Sequence, residues 1–148
     1  MDVPNSEGIL ETYLEINRAI RNLVKSDAER LGITVVQLMT LYKLASHPNI
    51  SLGELAEKLR LTNSTVSGVI ERLVKMEFVQ RVVPCENRRA VSICLTEKGE
   101  KLLEQLYTFN STLKKLDDVF NLPKEDLAHL LRLQKLVLNN LLQEECNS

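Results

Sequence analysis

Leu52–Lys75 reads LGELAEKLRLTNSTVSGVIERLVK. Leu55 and Leu59 fall one helical turn apart with small Ala56 between them, where a crossing helix must come close. Beyond Arg60 and Leu61, Thr62 is a good N-cap, and Val66, Val69, Ile70 and Leu73 then repeat at helical spacing. Thr65, Ser67, Gly68 and Arg72 look outward from that apolar stripe. Two short helices joined by a tight turn, the second opening on small polar groups able to hydrogen-bond phosphates and base edges, form the pattern of a helix-turn-helix. An ordinary pair of packed core helices has the same pattern, and the flanking sequence has to separate the two readings.

Downstream of Lys75 the period changes from helical to alternating. Val79, Arg81 and Val83 share one side of a predicted strand, and Val91, Ile93 and Leu95 one side of another, with Pro84–Arg89 (PCENRR) between them. A basic hairpin directly behind a helix-turn-helix reads as a wing. The helix suits the wide major groove, and a loop carrying Arg88 and Arg89 suits a flanking minor groove, where the potential is most negative. The other reading of the two arginines is a solvated hairpin tip.

Upstream, Ile9, Tyr13, Ile16, Ile20 and Leu23 alternate steps of four and three, predicting an amphipathic helix of about six turns that stops at the C-capping Gly32. Thr34 with Gln37, and Ser51 with Glu54, are capping boxes. The first opens a helix through Leu38, Leu41, Tyr42 and Ala45 that ends before Pro48; the second opens the helix-turn-helix itself. Thr96 caps another helix, with Glu97 placed well for its dipole, continuing through Leu102, Leu103, Leu106, Phe109, Leu113, Leu116 and Phe120 to Pro123. The last helix carries leucines from Leu127 to Leu142 on more than one face. It is either buried within its own monomer or covered by a second chain, and in a domain this small the second is expected.

The 148 residues are 44% apolar with 4% aromatics and no tryptophan, so one globular domain with an aliphatic, mostly helical core is predicted. Net charge is −1, but basic and acidic residues number five and six in 1–50, nine and seven in 51–101, and five and seven in 102–148. The only positive third holds the helix-turn-helix, although any solvated surface fluctuates by this much. Cys85, Cys94 and Cys146 lack CxxC spacing and a histidine at ligand distance, so neither a metal site nor a disulfide framework is expected. No apolar run is long enough to span a bilayer and the N-terminus lacks signal-peptide regions, which predicts a cytoplasmic protein without membrane contact. His47 and His129 have no nucleophile, carboxylate pair or phosphate loop near them in sequence; no catalytic residue and no cofactor is expected.

With these elements in this order, the chain resembles the MarR family of winged helix-turn-helix transcription regulators. The resemblance rests on LAEKL (Leu55–Leu59), STVS (Ser64–Ser67), IERL (Ile70–Leu73), NRR (Asn87–Arg89) and LTEKG (Leu95–Gly99), and it covers nearly the whole chain. It implies a mainly α (α+β) fold: a DNA-binding winged helix-turn-helix at 34–99, and helices at 1–33 and 100–148 that form the dimerisation region of one intertwined domain. It also implies a homodimer on a pseudo-palindromic double-stranded operator, acting as a repressor. Carried over by position, Thr62, Asn63, Ser64, Thr65, Ser67, Gly68 and Arg72 lie on the recognition helix. Arg88 probes the minor groove, and Arg89 contacts backbone or braces the wing.

The family often responds to a small anionic or phenolic effector between dimerisation helices and DNA-binding lobe, which here places Tyr13, Ile16, Leu38, Tyr42 and Leu106 around a pocket. The sequence departs from the family pattern at Arg60, where glycine is usual in the turn; at Glu77, where glycine often follows the recognition helix; and at Asn87, where an aspartate is usual and Glu86 is the substitute carboxylate at hand. The family's oxidant-sensing cysteine near the first helix is absent. Cys85 is either a thiol activated by the wing arginines or a plain exposed one. The same architecture also admits a dimeric winged helix that binds protein rather than DNA.

Overall fold

The computed structural model describes residues 6–83, 91–108 and 112–147. In order these form α1 (Ser6–Leu31), α2 (Val35–Ser46), α3 (Leu52–Leu59), α4 (Asn63–Lys75), β1 (Val79–Val82), β2 (Ser92–Leu95), α5 (Glu97–Thr108), α6 (Thr112–Val119) and α7 (Lys124–Asn147). The fold is mainly helical with one small antiparallel sheet, as predicted. The single helix expected from Thr96 to Phe120 is described as α5 and α6, with Phe109 outside the described residues.

The chain divides into two compact units, residues 1–112 and 113–148. In the first, α2 is the central helix: Leu38, Leu41 and Leu44 are buried, and around them close Val24 and Ala28 of α1, Leu55 and Ala56 of α3, Val66, Ile70 and Leu73 of α4, Val79, Ile93, and Leu103 and Leu106 of α5. In α3, α4 and α5 these are the apolar positions that helical spacing aims inward, whereas Val24 and Ala28 lie off the α1 stripe expected through Leu23. The second unit carries α7, whose Leu131, Leu136 and Leu141 remain more than half exposed.

Helix starts follow the predicted chemistry. At Thr34 and Ser51 both reciprocal bonds of a capping box are formed, with Gln37 and Glu54 respectively. The backbone N–H and the hydroxyl of Ser51 both donate to the Glu54 carboxylate, at 3.0 and 2.8 Å, which holds that carboxyl below its ordinary pKa.

Three stops share one geometry. Gly32 N–H bonds Glu29 O and Ile33 N–H bonds Ala28 O; Arg60 and Leu61 repeat this on Glu57 and Ala56; Glu77 and Phe78 repeat it on Val74 and Leu73. This is the Schellman arrangement, and its first residue is left-handed, at φ 69°, 54° and 64° respectively. Only the first position holds the glycine that suits it. Placing a Cβ in that region costs about 1–2 kcal/mol, and glycine returns roughly 0.4–1 kcal/mol of that as unfolded-chain entropy. Arg60→Gly is therefore expected to raise stability by about 0.5 kcal/mol, read as a small upward shift of the urea midpoint.

The strands pair Val79 with Leu95 and Val82 with Ser92. Val83 and Val91 lie just outside the ladder, and of the side predicted for β1 only Val79 is buried, Arg81 and Val83 being exposed. β2 stays on the core through Ile93, which is 2% exposed, whereas its register partner Arg81 on β1 is exposed. A third segment, not predicted, joins the sheet: Ile50 bridges Ile93, whose N–H donates to Ile50 O at 2.8 Å.

Candidate nucleic-acid interface

α3 and α4 pack on one another and on α2 through Leu55, Ala56, Val66 and Ile70, so their orientation is set by the core. The turn between them is fixed at both ends. Arg60 closes α3, Leu61 folds its side chain back onto the core, and Thr62 takes an extended conformation (φ −71°, ψ 152°) to cap α4. The Thr62 hydroxyl accepts from Thr65 N–H at 3.2 Å and lies 2.8 Å from the Thr65 hydroxyl.

Thr62, Asn63, Ser64, Thr65 and Arg72 are exposed, and Ser67 and Gly68 partly so. The structure thus brings the seven helical residues of the predicted interface onto the solvent side of α4. No acidic residue occupies the first turn of α4, and Arg72 and Lys75 lie in its last. The free N–H groups at the start of the helix favour an anion, while the two cations suit both the negative end of the helix dipole and a phosphate backbone. A Cβ built on Gly68 meets nothing within 4 Å. This glycine answers no packing demand, although glycine weakens a helix by about 1 kcal/mol relative to alanine.

Sequence reading passed over Lys75, in the last turn of α4, and Arg81, on β1, both exposed. The signal for Lys75 was helical spacing: it lies on the same side as Ser64 and Gly68. Arg81 was assigned to the strand's apolar side, and although its register partner Ile93 is buried, the structure leaves Arg81 itself exposed. Arg88 and Arg89, with Cys85, Glu86 and Asn87, lie outside the described residues.

The base of the wing is joined firmly to α4 and α5. Thr96 N–H donates to Phe78 O at 3.0 Å, the Thr96 hydroxyl donates to Glu77 O, and Gly99 N–H donates to the Thr96 hydroxyl at 3.1 Å. Lys98 Nζ donates to Met76 O at 2.9 Å, pairs with Glu77 at 3.2 Å and sits 5.1 Å from the centre of the Phe78 ring. The LTEKG segment thereby closes the turn that follows α4, tying the recognition helix to both the wing and α5.

The five residues expected around an effector pocket are not gathered in the chain. Leu38 and Leu106 are core side chains, 0% and 1% exposed; Tyr42 is half-buried on α2; Tyr13 and Ile16 are exposed along α1. Leu38 presents no surface to a ligand, because its α2 position is enclosed by packing partners. Leu106 instead lines a cavity of about 280 Å³ with Arg30, Leu31 and Gln105.

A capped helix pair displaying a small, polar, uncharged leading face, followed by a two-stranded stem that the Ile50 segment joins, is a winged helix-turn-helix. The chain belongs to the MarR family: that family's model matches residues 33–91. The chain is 30% identical over 106 residues to the HTH-type transcriptional regulator YsmB of Bacillus subtilis (strain 168), covering 67% of this chain and 73% of that one. It is 33% identical over 82 residues to the HTH-type transcriptional regulator YfiV of the same organism, where the match covers 55% of this chain and about half (51%) of the relative. Among solved structures, an S. aureus MepR mutant bound to an oligodeoxyribonucleotide matches 90% of this chain and 97% of its own, at 24% identity and a TM-score of 0.60, which shows the same fold. These relatives are transcription regulators rather than enzymes.

Proposed function

We propose that the chain is a sequence-specific DNA-binding repressor that acts as a homodimer on a pseudo-palindromic operator, with residues 34–99 reading DNA and residues 1–33 and 100–148 holding the two copies together. The observation that carries this reading is the leading face of α4. Its uncharged, hydrogen-bonding side chains stand exposed on a helix that the core holds rigidly, with cations behind them. Such a face fits the major groove, while phosphate contacts from Arg72, Lys75 and the wing supply affinity. Dimerisation is supported by the exposed apolar residues of α1 (Ile9, Leu10, Leu14, Ile16) and of α7, too many to leave in water on a monomer. The protein works where its operator is, in the cytoplasm; no helix among the described residues is long and apolar enough to cross a membrane.

A small anionic effector that alters the spacing of the two reading helices would release the DNA. The cavity beside cationic Arg30 suits such a ligand.

Binding to a random duplex tests the reading. Affinity should fall by about 10³-fold or more between roughly 50 and 200 mM salt, as counterions released from several phosphates demand. Arg88→Ala should weaken binding by about tenfold. A winged helix that recognises protein instead would hardly bind the duplex at either salt, and that result would remove the proposal.

A further inference from the structure

The recognition face carries information about which base pairs it reads. In its first two turns, Asn63 to Ile70, no side chain is charged; the first cation of α4 is Arg72. Guanine is most often read by the paired donors of arginine or lysine on its O6 and N7, and this half of the helix offers none. It offers instead Asn63, whose amide matches the N6 and N7 edge of adenine. Among the described residues the Asn63 side chain makes no hydrogen bond, so both its donor and its acceptor face solvent.

Thr65 is different. Its hydroxyl lies 2.8 Å from that of Thr62 and its N–H is bonded to the same oxygen, so the cap holds that hydroxyl in place. Beside that anchored hydroxyl Thr65 carries a methyl, the apolar partner that suits a thymine methyl. One turn further on, Gly68 carries no side chain, and the space where one would begin is open, with nothing within 4 Å. A thymine methyl stands in the major groove and gains from an apolar neighbour, and Gly68 places no side chain in its way.

We infer that the half-site beneath the first two turns of α4 is A·T-rich and is read through a thymine methyl held between Thr65 and Gly68, with Asn63 on an adenine. This inference rests on the DNA-reading function proposed above.

The test begins with selection of bound duplexes from a random library by the full chain. Each thymine of the selected half-site is then replaced in turn by deoxyuridine, which removes only the methyl. One replacement should weaken binding by about fourfold, the value of one buried carbon. Thr65→Ser keeps the hydroxyl pair with Thr62 and discards the methyl; in that variant the same replacement should make no difference. Gly68→Ala, which places a methyl in this space, should bind the thymine duplex more weakly than the wild type does and lose the preference for it over deoxyuridine.

Guanines at the positions facing α4, or a deoxyuridine effect that persists undiminished in Thr65→Ser, would overturn the inference and leave DNA reading intact. A library that yields no enriched sequence, with no salt-dependent binding, would overturn the DNA-reading function itself.

Discussion

Gly99→Ala is expected to lower stability by about 3 kcal/mol, the upper end of what inserting a carbon into a packed site costs. A Cβ at this position would lie 2.2 Å from the carbonyl oxygen of Phe78 and 3.1 Å from its carbon. Both are backbone atoms, so no side chain can swing aside. Relief requires α5 to lift away from the turn after α4. That movement would break the Thr96 N–H bond to Phe78 O and pull the Thr96 hydroxyl and Lys98 from Glu77 and Met76.

Gly68→Ala is the natural comparison, because the chemical change is the same and the surroundings are open. It should stabilise by about 1 kcal/mol through helix propensity alone. Urea titration of the two variants would therefore move the midpoint in opposite directions. An unshifted midpoint for Gly99→Ala would show that α5 does not approach the turn so closely.

The second large effect concerns the proposed dimer. Leu131 and Leu138 are seven residues apart on one side of α7 and are 53% and 44% exposed in the single chain. Changing both to glutamate leaves the core of residues 1–112 untouched, because neither side chain is part of it. In the proposed assembly, however, the change buries unpaired carboxylates at the contact between copies. The variant should sediment as a monomer with unchanged helix content. Its operator affinity should fall by about 10²-fold or more, because the second half-site is no longer bound at the high effective concentration that linkage to the first provides. A dimer of unaltered operator affinity would mean that α7 does not hold the copies together.

Sequence chemistry made the local structure legible wherever the cause was local. Thr34, Ser51, Thr62 and Thr96 announce helix starts because the partner of each cap lies three residues away, and the helical and alternating periods separate α4 from β1 for the same reason. The leading face of α4 was equally readable, since a helix places every third or fourth side chain on one side whatever surrounds it. Arg60 and Glu77 were visible as departures from a glycine pattern, but their left-handed conformations became facts only with the backbone in place.

Tertiary structure alone decided the rest. Leu38 has the same composition signal whether it lines a pocket or fills a core, and only the packing of its neighbours around α2 made it core. The Ile50 bridge to Ile93 joins residues 43 positions apart in the chain, with no local pattern to mark it. Gly99 and Gly68 are indistinguishable as letters in a helix. The first is required because another stretch of backbone occupies its Cβ position, and the second is free because nothing does. By itself the sequence determined where α2, α3, α4 and α5 begin and which face of α4 looks outward. The distances between segments remote in the chain, and so the meaning of each glycine and each buried leucine, depended on how those segments pack.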